Sequence, residues 1–347
     1  MKTRYSASLL SLLAVMAFGM APPSIRAKSA HDAIRESIDA LPSYTAKAVE
    51  LPRNASYLTP QGAISIYGYE DMVDILKRLN KMFSASHPGF SFNLVLKGTY
   101  TAPPALTSGA SAFAPMGAEF DDVDILAYRK FRRSSPVLFR IAHDSVILPA
   151  ASSPLGIFVH KTNPIESLTS SQVGRIFSVG SVHGEIRTWG EAGLGGEWEE
   201  RAIHSCGIPL QGALGVYMQN KFDGRPYGPK HTFVKESKDV ISTVATDPAA
   251  IGFAAINLLT PEVKLVAIDA GNVAGPSRGA VEDIIAGTYA YDRHLLIYVR
   301  QPIEQWVREY LRLIFSKEGQ QAIADDSRGY LPLNPREVAV ELEKLNH

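Results

Sequence analysis

The sequence predicts an α/β protein of two lobes, each a mostly parallel sheet flanked by helices. Three observations carry that reading. Short β-branched runs such as Ala63-Ile64-Ser65-Ile66-Tyr67 and Leu155-Gly156-Ile157-Phe158-Val159-His160 alternate with segments of helical period. Gly- and Pro-rich turns separate them, as in repeated strand–turn–helix units. About 320 residues follow a leader-like start, more than a single core usually fills, so two lobes are expected.

Taken in order, Lys2 and Arg4 precede an apolar run at 9–21, and Ile25-Arg26-Ala27 offers a cleavage site, so residues 1–27 read as a secretory signal. The run is too short to span a bilayer, and no later segment approaches that length. No cysteine lies near the cleavage point to carry a lipid anchor. From residue 28, Ala33, Ile34, Ile38 and Leu41 mark a short helix, and a Pro-punctuated stretch follows; this arm is expected to lie on the first lobe. After the strand at 63–67 and Gly68, Met72, Ile75, Leu76, Leu79 and Phe83 recur at helical spacing until His87-Pro88-Gly89 stops the helix. A strand from Phe90 to Leu96 leads into a Gly/Pro/Ser-rich turn and a helix of small residues. Beyond the strand at 155–160, Asn163-Pro164 breaks the chain, and Leu168 to Phe177 fits a helix with Thr169 or Ser170 as N-cap. Residues 178–200 read as a Gly-rich loop anchored by Trp189 and Trp198. Ser237 is expected to cap a helix ending near Asp247-Pro248, with Ile251-Gly252-Phe253 as the strand after it. Leu295 to Val299 is a further strand, and Ile303 to Phe315 an amphipathic helix turning Val307, Tyr310, Leu311, Ile314 and Phe315 inward.

Composition narrows the function. Without Lys2, Arg4 and Arg26 the chain carries 32 basic against 35 acidic residues and no basic cluster, which argues against nucleic acid or anionic membrane as a partner. Cys206 is the only cysteine, so no intramolecular disulfide is possible; an exported chain of this kind suits a bacterial periplasm. His204 and Cys206 stand two apart, a spacing that places them on one strand face but keeps the imidazole from reaching the sulfur. No nucleophile elbow, Ser-x-x-Lys, His-Glu-x-x-His or phosphate-cradling P-loop is present, so no enzyme is expected. His143, His160, His183, His204 and His231 show no ligand spacing, and neither metal nor cofactor is expected. Trp189, Trp198 and Trp306 read as packing anchors, with a sugar-stacking role as the alternative.

Five segments fall in a telling order: Ser167-Leu168-Thr169 running into Ile176-Phe177-Ser178, then Thr188-Trp189-Gly190, Ala249-Ala250-Ile251-Gly252-Phe253, Phe315-Ser316-Lys317-Glu318-Gly319-Gln320 and Gly329-Tyr330-Leu331-Pro332-Leu333. In order and spacing the chain resembles the periplasmic phosphate-binding proteins that feed ABC transporters, over about residues 44 to 335. The resemblance implies the type II periplasmic-binding-protein fold: an arm at 28–43, lobe I from 44–143 plus 291–347, lobe II from 144–290, and two hinge strands joining them. It also implies a periplasmic solute-binding protein that closes on a small ligand, phosphate or another small solute, and hands it to an ABC transporter permease. A binding-protein fold used as a sensor or scaffold is the alternative.

The same resemblance points to the loops that would hold the ligand, where such proteins use hydroxyls and helix-start N–H groups. The first loop is Gly68-Tyr69-Glu70-Asp71, with a phenol and two carboxylates where small hydroxyls are expected. Glu70 and Asp71 either complement the dipole of the following helix or face the cleft. The second is Gly98-Thr99-Tyr100-Thr101, which keeps two hydroxyls but sets Tyr100 in a glycine's place; a Thr-capped turn is the other reading. Met116-Gly117-Ala118 carries Ala118 where an arginine often stands, and Gln211-Gly212-Ala213 replaces a Ser-Gly-Thr. Tyr69, Glu70, Asp71, Thr99, Tyr100, Thr101, Met116, Ala118, Gln211, Gly212 and Ala213 are therefore the candidate ligand contacts. With so few donors, burying a phosphate would cost several kcal/mol per charge, which disfavours tight phosphate binding.

Overall fold

The computed structural model describes residues 29–346, so the expected signal segment lies outside the described residues. Ile64–Gly68 and Phe92–Leu96 pair in parallel, joined by the helix Val73–Ser86. That helix buries Ile75, Leu76, Leu79 and Phe83, the stripe its sequence spacing requires, and the His87 N–H bonded to the Phe83 carbonyl closes it. Beside this pair, His294–Val299 lies between Phe113–Met116 and Val137–His143, antiparallel to both. The helices Gln305–Ile314 and Lys317–Ala324 complete a core built on Phe83, Phe113, Trp306 and Tyr310, with the Tyr310 hydroxyl donating to Asn80 at 2.7 Å.

The other core is centred on five strands, in the order Val263–Leu265, Leu155–His160, Ala250–Ala255, His204–Gly207 and Thr232–Phe233. Thr169 is the N-cap of the helix Ser170–Phe177, in a reciprocal capping box with Gln172; the helix starts later than expected because Ser167–Thr169 is itself a short strand. Trp189 is fully buried, edge-on to Trp198 at 6.2 Å, and donates its indole N–H to the Ala249 carbonyl at 3.1 Å. That bond fixes the Gly-rich loop to the sheet. The helix Ser237–Thr246 has Glu236, not Ser237, as its N-cap: the Glu236 N–H donates to Asp239 Oδ2 at 3.0 Å, and the Ser237 hydroxyl accepts from the Ala255 N–H.

Among the described residues four strand pairings are parallel and four antiparallel, so the sheets are mixed where mostly parallel ones were expected. Part of the reason lies in the hinge. The chain leaves one lobe along Val137–His143 and returns along His294–Val299, and neighbouring strands that carry exit and return run in opposite directions. The two large cores are separate clusters, one drawn mainly from the middle of the chain and the other from both ends, and a smaller third gathers Met116, Tyr128 and Tyr298. The helix Ala30–Asp39 touches both Val281–Ile285 and Lys317–Ala324, and Ala33 joins the mid-chain core, so the arm contacts both lobes. Leu331 exchanges two backbone hydrogen bonds with His143 and adds a third segment at the crossing.

Candidate functional site

The first two loops and the Met116 strand end come together at the carboxyl ends of their strands. Gly68 accepts from the Gly98 N–H at 3.2 Å, and the Tyr69 N–H donates to Pro115 at 3.0 Å. Gly98 sits at φ +111°, a conformation that suits glycine and turns the chain into the Thr99–Thr101 turn. Thr99 accepts the Gly117 N–H in a long 3.4 Å bond, which leaves its own hydroxyl proton available to another acceptor. Thr101 is spent locally, donating to the Gly98 carbonyl at 2.7 Å. The N–H groups of Glu70, Asp71, Thr99 and Tyr100 have no acceptor among the described residues, as expected at helix starts.

The aromatic and acidic members divide by role. The Tyr69 ring lies over Gly117, where a β-carbon would stand 2.6 Å from its Cε1, and burial raises its phenol above the ordinary range. Tyr100 is exposed and Glu70 likewise. Asp71 is fully engaged: it accepts from the Tyr330 hydroxyl and from the Ala151 N–H, both at 2.8 Å, and Arg328 Nε stands 3.4 Å away. It thus ties the first loop to the crossing segment. Met116 is buried among Ala102, Leu106 and Tyr128, while Ala118 is partly exposed beside Gly117.

On the other lobe, Gln211, Gly212 and Ala213 open the helix Ala213–Lys221, and the Ala213 and Leu214 N–H groups find no acceptor among the described residues. No hydrogen bond joins these three residues to Tyr69, Thr99 or Gly117. Tyr217, one turn on, donates its hydroxyl to the Asp292 carbonyl and lies beneath the Arg293 guanidinium, 5.8 Å from its ring centre.

Arg293 is the residue the sequence did not single out. Buried at the second crossing, it donates to the Gly117 carbonyl at 2.8 Å and the Ser153 carbonyl at 3.1 Å, and stands 3.3 Å from Asp144. Asp144 also accepts from Ser152 at 2.6 Å, and its burial raises its carboxyl to about 6 despite the guanidinium. Asp144 Oδ1 and the Ser153 hydroxyl are buried without a partner among the described residues. The two charges lie far apart in sequence, with no periodic pattern that could have announced them. His204, by contrast, pairs with Asp247 at 2.6 Å on the surface, and burial pushes the Cys206 thiol up to about 12, so the two form no nucleophilic pair.

Comparison with known proteins gives this geometry a context. A model of the PBP superfamily domain matches residues 55–318. A protein of Pseudomonas aeruginosa named phosphate-binding protein PstS is 29% identical over 286 residues, 80% of this chain and 85% of the relative. Among solved structures, an ABC-type phosphate transport receptor from Vibrio cholerae superposes with a TM-score of 0.52 at 18% identity, covering 77% of this chain and 99% of that one. PstS from Borrelia burgdorferi gives 0.53 at 15% identity, covering 78% and 99%. At those identities the two likenesses show the fold alone.

Proposed function

The chain belongs to the PBP superfamily, and from that premise we propose that it is an exported, periplasmic solute-binding protein serving an ABC-type importer. It takes a small solute between the Tyr69, Thr99 and Gly117–Ala118 segments of one lobe and the Gln211–Ala213 helix start of the other, with the lobes rotating about the crossing segments. The observation that carries this is the set of backbone N–H groups without acceptors at Glu70 to Asp71, Thr99 to Tyr100 and Ala213 to Leu214, together with the free Thr99 proton. Such a surface recognises oxygen acceptors. Arg293, the cation built into this region, is already matched by Asp144, and Glu70 adds negative charge at the rim. The ligand is therefore a solute of low charge bearing carboxylate, carbonyl or singly charged oxyanion groups. A doubly charged phosphate would lack a counter-charge.

The test is calorimetric titration of the protein stripped of ligand by unfolding and refolding. Inorganic phosphate and a panel of singly charged oxyanions and neutral polar solutes are the probes. Binding of a panel member, weakened about 10- to 100-fold in Thr99→Val by loss of one hydrogen bond to the ligand, is the expected result. An affinity unchanged in that variant removes the Thr99 hydroxyl from the site. A second reading is favoured by the Tyr69 ring lying over Gly117: the cleft is closed by its own side chain and the fold serves as a sensor or scaffold. Tyr69→Ala separates the two, because ligand binding gained only in that variant supports the second.

A further inference from the structure

On the crossing strands, beside a cavity lined by none of the loop residues just described, lies a cluster the sequence spacing gave no reason to expect. His143 ends one strand and His294 begins its antiparallel neighbour; the two are register partners, with ring centres 4.8 Å apart. Glu337, on the helix Pro335–Glu343, brings Oε2 to 3.0 Å from His143 Nε2. Asp292 Oδ2 stands 2.7 Å from His143 Nδ1 and 3.4 Å from His294 Nε2. Asp292 is nine-tenths buried, and its other oxygen, Oδ1, has no partner among the described residues. A cavity of about 330 Å³ opens onto His294 and Glu337, lined also by Arg140, Gly287, Asn334 and Glu341.

We propose that His143, His294 and Glu337 form a binding site for a divalent transition-metal ion of the zinc type, placed at the hinge between the lobes. Two imidazole nitrogens and one carboxylate oxygen are the donor set of an open three-ligand zinc site, with the fourth position left to water. Nitrogen donors in this proportion select against calcium and magnesium. Asp292 is placed to accept the Nδ1 proton of His143 and so aim Nε2 at the ion, the orienting contact that metal-bound histidines require. The three donor atoms lie within 4.8 Å of one another, while ligands of a tetrahedral zinc stand about 3.4 Å apart. Closing that gap needs a small turn of His294, the most loosely packed of the two rings, toward the cavity that supplies the entry path. The ion replaces the proton that His143 Nε2 shares with Glu337, and that proton leaves to solvent.

A purely structural ion cluster accounts for part of this arrangement. An imidazolium at His143 between Asp292 and Glu337 satisfies both of its nitrogens. It gives no reason for a second histidine in register facing an open cavity, and a bound cation supplies one; Asp292 Oδ1 has no partner among the described residues in either case. The cation would also have a mechanical effect, because its ligands sit on both crossing strands and on a helix whose Asn334 side chain donates to Ile285 of the other lobe at 2.8 Å.

The test uses the full exported chain freed of metal by chelation, titrated with zinc chloride by calorimetry and with cobalt(II) by visible absorption. One zinc per chain with micromolar or tighter affinity is expected, with cobalt absorption of low-coordinate nitrogen–oxygen geometry. His294→Ala should weaken binding at least tenfold and abolish the cobalt band, and Asp292→Asn should weaken it about 10- to 100-fold. His204→Ala, which alters an exposed His–Asp pair elsewhere, should leave both signals unchanged. Circular dichroism of each variant establishes that it is folded. Absence of zinc binding in the wild type, equal binding in His294→Ala, or loss of the signal in His204→Ala would each overturn the assignment.

Discussion

Removing the Arg293 guanidinium gives a quantitative test of how the two lobes are tied. Arg293→Met keeps most of the side-chain volume but deletes bonds to Gly117 and Ser153 and strips Asp144 of its counter-charge. Breaking a buried ion pair from one side costs about 3–5 kcal/mol, because the remaining charge is left in a poor solvent. The cost depends on pH. Asp144 has its native carboxyl raised to about 6 against an ordinary 3.8, so the native state holds that proton more tightly than the unfolded chain does. The buried carboxylate therefore costs stability above pH 6, by about 3 kcal/mol at 1.36 kcal/mol per unit, and the cost fades as pH falls toward 4. Without Arg293 the carboxyl rises further and takes a proton sooner. The variant should lose about 3–5 kcal/mol at pH 8. At pH 5 the loss should shrink to about 1–3 kcal/mol, the value of the missing hydrogen bonds. Urea unfolding followed by tryptophan fluorescence at the two pH values measures both, and Asp144→Asn in the same chain should restore much of the pH 8 loss. A pH 8 cost below about 1 kcal/mol, the same cost at both pH values, or additivity of the two substitutions within about 0.5 kcal/mol would refute the reasoning.

Gly98→Ala should destabilise by about 1–3 kcal/mol, since φ +111° strains any residue with a β-carbon and that carbon would stand 2.5 Å from Tyr100 Cε1; thermal melting reads the loss, and an unchanged midpoint would contradict the turn geometry. Cys206 is buried with its thiol pushed up to about 12, so Ellman's reagent should react with it only in denaturant; rapid labelling of the native protein would show that the strand end opens.

What the sequence revealed follows from the range of its signals. The stripe Ile75, Leu76, Leu79, Phe83 and the run Leu155–His160 announce themselves because burial repeats within a few residues. The capping box of Thr169 and Gln172 is equally local. Sheet direction is not: strand pairs such as Ile157 with Phe253 depend on how distant segments meet, and local strand–helix alternation said nothing of it. The loops at Tyr69 and Thr99 are candidates through resemblance, whereas the division of labour between Thr99 and Thr101 rests on the partner of each hydroxyl in the fold. Arg293 with Asp144, and His143 with His294, were illegible for one reason. Each pair is closed by a chain crossing about 150 residues long, and a rule that searches for ligands at short spacing cannot see across it.

The arm gives the molecule a further tie between its halves. Ser37 donates to the Leu333 carbonyl at 3.1 Å and Asp39 holds Lys317 at 2.7 Å, while Ala33 at the other end of the same helix beds into the opposite core. A swing of one lobe cannot leave both ends undisturbed: either the polar anchors break or Ala33 slides across Val281–Ile285. Under the lobe rotation proposed above, the helix is a check-strap, and residues far from the mouth bear on the balance between gaping and shut.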